Sequence, residues 1–186
     1  MDIEKEVRYH VTDESWDKIL NNTIAYKPKS RMLDITLGLY GFSSLEKTNT
    51  IYRVRHKNSK TTIEIKKRTS ANSWLESIVR VDSVKQGLEF FTLMGLTPYL
   101  YIARDREVRL YKNLKIFLDD VDLIGKYVEI EYQDSDHTLE EIQSFLDENS
   151  IIDSPAPLYG DIFKQNLESS NEFKATFHEK LESMLK

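Results

Sequence analysis

Ile3-Glu4-Lys5-Glu6-Val7-Arg8-Tyr9 alternates with a period of two. As a strand it carries Glu4, Glu6 and Arg8 on one face and Ile3, Val7 and Tyr9 on the other. The same period recurs down the chain. Tyr52-Arg53-Val54-Arg55 sets Arg53 and Arg55 on one face. Thr62-Ile63-Glu64-Ile65-Lys66 sets Glu64 and Lys66 opposite two isoleucines, and Ile102-Ala103-Arg104-Asp105-Arg106 aligns Arg104 with Arg106. Val128-Glu129-Ile130-Glu131 aligns two carboxylates, and Asp119 ends the strand before it. The charges are sorted by sign within strands, whereas like charges two apart repel and a generic wet face mixes signs. Carboxylates two apart can share one hard cation through oxygen. Converging Arg and Lys match the oxygens of a polyphosphate. Together they are equipment for phosphoryl chemistry. A sheet with one wet side is the blander alternative.

Working outward, alternating stretches over 2–11, 31–41, 49–57, 61–68, 74–81, 99–110, 113–121 and 126–132 predict seven or eight strands. Short connections at His56–Lys60, Tyr111–Asn113 and Asp120–Gly125 suit antiparallel hairpins. Helical spacing marks 12–22 (Trp16, Ile19, Leu20), 82–94 (Val84, Leu88, Phe91; Asp82 as N-cap, Gly95 past the end), 138–149 and 171–185 (Phe173, Phe177, Leu181). In 138–149, Thr138-x-x-Glu141 reads as a capping box, with Leu139, Ile142 and Phe145 or Leu146 buried. The expected fold class is α+β: an eight-stranded antiparallel barrel with a charged interior and helices packed outside. Ser154-Pro155-Ala156-Pro157 is the clearest breaker. It divides a main domain, 1–153, from a C-terminal segment and helix, 154–186, that packs on the barrel.

With 186 residues the chain suits one domain. Lys plus Arg is 26 against 31 Asp plus Glu, a net charge of −5 that argues against a nucleic-acid coat. Cys is absent, which removes disulfides, thiolate metal sites and a Cys nucleophile. No apolar run reaches membrane length, and Met1 leads into charged sequence, so a cytoplasmic protein without membrane attachment is expected. Neither GxGxxG nor GxxxxGK[ST] occurs, and no nucleophile elbow is present. His10, His56, His137 and His178 lack metal-ligand spacing. The aromatics read mainly as core. Tyr127 is the exception, because it shares the face of Glu129 and Glu131.

These segments, in this order, resemble the CYTH superfamily, the triphosphate tunnel metalloenzymes. Glu4-Lys5-Glu6-Val7-Arg8 is similar to the family's ExExK strand, Arg53-Val54-Arg55 to its RxR strand, and Lys66 to its strand-end lysine. Glu76 falls where the next strand carries a glutamate, and Arg104-Asp105-Arg106 is similar to the [KR]xR strand. Asp119 with Gly125-Lys126-Tyr127-Val128-Glu129-Ile130-Glu131 resembles the D…G-x-[FY]-x-E-[IV]-E hairpin, and Tyr159–Phe163 a short Tyr-containing segment. The resemblance implies hydrolysis of an inorganic or organic triphosphate, thiamine triphosphate included, or cyclisation of ATP, with Mg²⁺ or Mn²⁺. It assigns Glu4, Glu6, Asp119, Glu129 and Glu131 to metal, and Arg8, Arg53, Arg55, Lys66, Arg104 and Arg106 to a triphosphate-bearing small molecule, in a monomer or homodimer.

The sequence departs from the pattern at Arg8, where the family has a lysine that helps activate water. A guanidinium stays protonated, so phosphate binding survives this change better than hydrolysis does. Arg8 and Glu6 are the candidate catalytic residues. Trp74 stands where many members have Arg, and the His-Phe element that cyclases carry before the first strand is not seen ahead of Glu4. Metal-dependent triphosphate hydrolysis is the leading expectation. Adenylyl cyclisation, a non-catalytic polyphosphate- or nucleotide-binding module and a structural barrel follow it. Without a ligand the clustered Arg and Lys are expected to repel, and Arg53 and Arg55 to be dispensable for the fold.

Overall fold

β-Branched and aromatic residues in alternation, bounded by turn residues, build eight strands in the computed structural model, which describes residues 4–70, 73–132 and 136–185. They are β1 (Glu4–His10), β2 (Ile24–Gly38), β3 (Thr50–Lys57), β4 (Lys60–Ser70), β5 (Ser73–Val81), β6 (Thr97–Tyr111), β7 (Leu114–Val121) and β8 (Gly125–Tyr132). The order β1-β5-β4-β3-β2-β6-β7-β8 closes as a barrel, because β1 pairs with both β5 and β8. The expected α+β antiparallel barrel is thus found. Its hairpins form at the expected places. Lys57 pairs with Lys60 across Asn58 and Ser59, whose φ values of 50° and 59° match the strand twist. β2 starts seven residues earlier than the expected 31. Its first half, with Lys27, Pro28 and Lys29, is solvent-exposed, so no buried alternation marks it. Among the described residues no helix is long and apolar enough to cross a membrane.

The chain forms two compact units, and β2, β4, β5 and β6 contribute residues to both. The first comprises Met1–Arg31, Thr69–Trp74 and Arg104–Pro157. Tyr9, Ile116, Leu118, Val128 and Ile130 form its apolar strand face. Helices α1 (Asp13–Asn22) and α4 (Asp136–Glu148) cover that face with Ile19, Ile142 and Phe145. Thr12 caps α1 by accepting from the Ser15 N–H at 3.1 Å. Buried Arg109 closes the other end, donating to the Leu20 and Thr23 carbonyls at 2.8 Å each. α4 begins at Asp136, which places Thr138, expected to open the helix, inside it. Thr138, Ile142, Phe145, Leu146 and Asn149 make the buried stripe, and Leu139, expected in the core, lies off it at 68% exposure.

The second unit comprises Met32–Arg68, Leu75–Ala103 and Leu158–Lys186. Leu37, Val54 and Ile63 pack against Phe91 and Leu96 under α3 (Val84–Leu93). Gly87 permits the close approach, since a Cβ there would stand 2.9 Å from Val54 Cγ1. Gly95 ends α3 at φ +81°, and the cap is Ser83 rather than the expected Asp82. Three helices complete the unit: α2 (Ser44–Thr48), α5 (Tyr159–Ser169) and α6 (Asn171–Leu185). Of these only α6 is expected from periodicity. Phe177 of α6 stacks on Tyr101 of β6 at 5.0 Å between centroids, and Phe163 of α5 meets Tyr101 edge-on.

Candidate functional site

In the first unit, the face opposite the apolar core carries charge from β1, β6, β7 and β8. Register places Glu6 opposite Glu131, Arg8 opposite Glu129, and Arg106 opposite Asp119. Arg106 grips Asp119 with two bonds of 2.6 Å and reaches Glu129 at 3.1 Å. Arg8 donates to Glu129 and lies 3.5 Å from Glu6. Arg104 stands 3.4 Å from Asp119, and Lys115 holds Glu131 at 2.7 Å. Arg8, Arg104, Asp119 and Glu129 are all buried. Burial by itself pushes the Glu129 carboxyl up, but Arg106, Arg8 and Arg104 together outweigh it and hold the group well below the usual carboxylate range. Tyr127 lines this face as expected: burial pushes its phenol up and Arg8 pulls it back. Phe117 joins it, with Arg106 and Lys115 at 4.6 and 5.0 Å from its ring centroid.

The second unit carries its own charged face. Arg55 forks onto Asp34 at 2.6 and 2.8 Å, and Arg53 donates to Glu64 at 2.8 Å. Arg53 also stands 3.5 Å from Asp34 and 3.5 Å from Glu76. Lys66 is 3.4 Å from Glu76. Asp34 and Glu64 are buried to 1% and 2% exposure, and these arginines compensate them. A groove of about 930 Å³ between α3 and the end of α6 is lined by Val84, Leu88, Leu93, Pro98, Met184 and Leu185. Lys85, Glu89 and Thr92 also line it.

Each described candidate residue therefore stands on a charged face, but not with cation beside cation. The expected repulsion among Arg and Lys does not arise, because carboxylates on neighbouring strands interleave with them. Across the ladder Arg8 faces Glu129, Arg55 faces Asp34, Arg53 faces Glu64 and Arg106 faces Asp119, whereas Glu6 faces Glu131. The same contacts make Arg53 and Arg55 partners of the buried Glu64 and Asp34, so their removal is expected to cost stability. Residues not anticipated are Asp34, Lys115 and Phe117. The alternation Leu33-Asp34-Ile35-Thr36-Leu37 signals Asp34, whereas the roles of Lys115 and Phe117 follow from register alone.

Among the described residues no three carboxylate or imidazole side chains gather at metal-ligand distance. The side chain of Glu4 lies outside the described residues. Glu6, Asp119, Glu129 and Glu131 nevertheless form an all-oxygen donor set on adjacent strands, with Glu6 and Glu131 directly opposite. Such a set fits a hard divalent cation. In the structure these carboxylates are held instead by Arg8, Arg104, Arg106 and Lys115.

The CYTH domain model matches residues 3–156. The fold is shared with the PH1819 protein of Pyrococcus horikoshii OT3, at 22% identity and TM-score 0.71, over 88% of this chain and 99% of that one. A Vibrio parahaemolyticus protein described as a candidate adenylate cyclase superposes at TM-score 0.67 and 14% identity, covering 88% and 98%. A Hippeastrum protein, described as an adenylyl cyclase candidate with a dominant triphosphatase activity, does so at TM-score 0.58 and 15% identity, covering 81% and 89%. No curated protein matches the chain. With strand order, charged faces and a family match over most of its length in agreement, the chain belongs to the CYTH domain family.

Proposed function

We propose that the chain is a slow, metal-dependent triphosphatase acting on inorganic tripolyphosphate or an organic triphosphate. CYTH proteins are metal-dependent enzymes that bind triphosphates, as triphosphatases or cyclases. The observation that carries the proposal is the first unit's face, where Arg8, Arg104 and Arg106 stand among Glu6, Asp119, Glu129 and Glu131. Guanidinium forks match phosphate oxygens in number and geometry. Arg53, Arg55 and Lys66 are assigned to the same anion class. Glu4, Glu6, Asp119, Glu129 and Glu131 are assigned to Mg²⁺ or Mn²⁺, which when bound offsets phosphate charge and polarises a phosphoryl oxygen.

Arg8 is the reason a slow rate is expected. Its guanidinium supplies charge at the phosphate but no accessible lone pair, so it cannot take the proton of an attacking water. General-base help is worth about 10²–10⁴-fold. The same feature favours a second reading, a binding module with no turnover.

The test is product analysis after incubation with tripolyphosphate, ATP and thiamine triphosphate, each with Mg²⁺ or Mn²⁺. Orthophosphate release is expected, and its loss in excess chelator. Arg8→Lys should raise the rate about 10-fold or more with little change in affinity, and steepen its rise at alkaline pH. Cyclic AMP from ATP would replace hydrolysis by cyclisation. Binding without product in both forms would leave the binding module. A fast wild type slowed by Arg8→Lys would make Arg8 a transition-state clamp.

A further inference from the structure

Ser154-Pro155-Ala156-Pro157 crosses β1 beside Arg8. Two prolines fix φ at 155 and 157, and each biases the residue before it toward an extended backbone, so the segment is a stiff strap. Neither proline has a backbone N–H, which leaves Ala156 as the single donor of the Pro-Ala-Pro triplet. That N–H donates to the Arg8 carbonyl at 2.7 Å. The next carbonyl, of Pro157, accepts from Arg8 Nη1 at 3.3 Å. One rigid tripeptide thus engages both the main chain and the guanidinium of the same residue.

Arg8 is 7% exposed, and its other polar contacts include the carboxylates of Glu129 and Glu6. Those acceptors offset its charge, so they compete with a bound phosphate. Pro157 O orients the guanidinium without neutralising it, and that contact need not break for phosphate to take the place of Glu129. Resting on the triphosphate function proposed above, we infer that residues 155–157 are the positioning device of Arg8: the strap fixes the guanidinium for the phosphate, and Ala156 and Pro157 act on affinity through Arg8 alone.

A double-mutant cycle read by calorimetric titration with tripolyphosphate and Mg²⁺ tests this. Ala156→Pro deletes the sole N–H of the triplet. It should weaken binding about 3–10-fold in the wild-type background and by less than about 2-fold when Arg8 is already Ala. Ala156→Gly keeps the N–H and should stay within about 2-fold of wild type. If Ala156→Pro fails to melt cooperatively, Pro155→Gly loosens the strap and enters the same cycle. Equal losses with and without Arg8 would overturn the positioning role, since a purely structural strap acts independently of that side chain. So would full affinity in Ala156→Pro. No binding by the wild type would instead overturn the triphosphate function, and the strap's role with it.

Discussion

Removing the Arg55 guanidinium leaves the Asp34 carboxylate at 1% exposure with Arg53 at 3.5 Å as a remaining cation. Breaking a buried ion pair by removing one partner typically costs about 3–5 kcal/mol, and Arg53 keeps the loss at the low end. Arg55→Ala is therefore expected to lower unfolding stability by about 3 kcal/mol, read from denaturant midpoints. Arg55→Ala combined with Asp34→Asn should recover part of that loss. Glu129 sets a pH dependence. Its folded-state pKa lies below the ordinary 4.5, so its contribution is fully present above about pH 4.5. Below that the unfolded chain takes up a proton that the folded chain refuses, and stability falls with pH. The melting temperature should drop below about pH 4.5, and the gap between wild type and Glu129→Gln should narrow there. A constant gap down to acid unfolding would refute the assignment. The faces of Glu129 and Asp34 are legible in the alternation of their strands. Their partners are not, because register between distant strands decides which arginine lies opposite.

At the scale of elements, β-strands were legible because one face is buried and its period is two. The first half of β2 and the helix α5 were not. Residues 24–30 are half-exposed or exposed on both faces, so nothing imposes alternation. α5 carries Tyr159, Ile162 and Phe163 at helical spacing, but Leu158 at its N-cap makes no side-chain bond and two prolines stand just ahead of it. The side-chain caps that open α1 and α3, Thr12 and Ser83, have no counterpart there. α3 shows what packing adds to pattern. Gly87 faces Val54 and Ile63 at distances a methyl group cannot occupy without displacement. Gly87→Ala improves helix propensity by about 1 kcal/mol, yet overpacking of this kind costs about 1–3 kcal/mol. The net expectation is a lower melting temperature. An increase would show that α3 can lift from β3 and β4 at little cost.

At the scale of the molecule, the charged face of the first unit is a set of exchangeable partners. Two carboxylates assigned to the divalent cation are held by cations assigned to phosphate, Asp119 by Arg104 and Arg106 and Glu129 by Arg8 and Arg106, while Glu131 is held by Lys115. Without ligand this internal neutralisation keeps like charges apart, and so lets acid-x-acid and base-x-base strands coexist. It also opposes either ligand bound alone. Tripolyphosphate drawing the guanidinium groups away would strand buried carboxylates, and a divalent cation taking the carboxylates would strand buried arginines. Bound together, each ligand compensates the groups released by the other. Their affinities are therefore expected to be positively coupled and, by linkage, reciprocal. Calorimetry should show tripolyphosphate binding about 5–150-fold more tightly with saturating Mg²⁺ or Mn²⁺ than without, with the same factor for the cation. Since free Mg²⁺ also binds tripolyphosphate in solution, the factor is taken after that equilibrium is subtracted. Asp119→Asn should reduce it by removing one of the exchanged carboxylates. Tight tripolyphosphate binding unaffected by metal would mean that the arginines grip phosphate without leaving their carboxylates, and that the exchange does not occur.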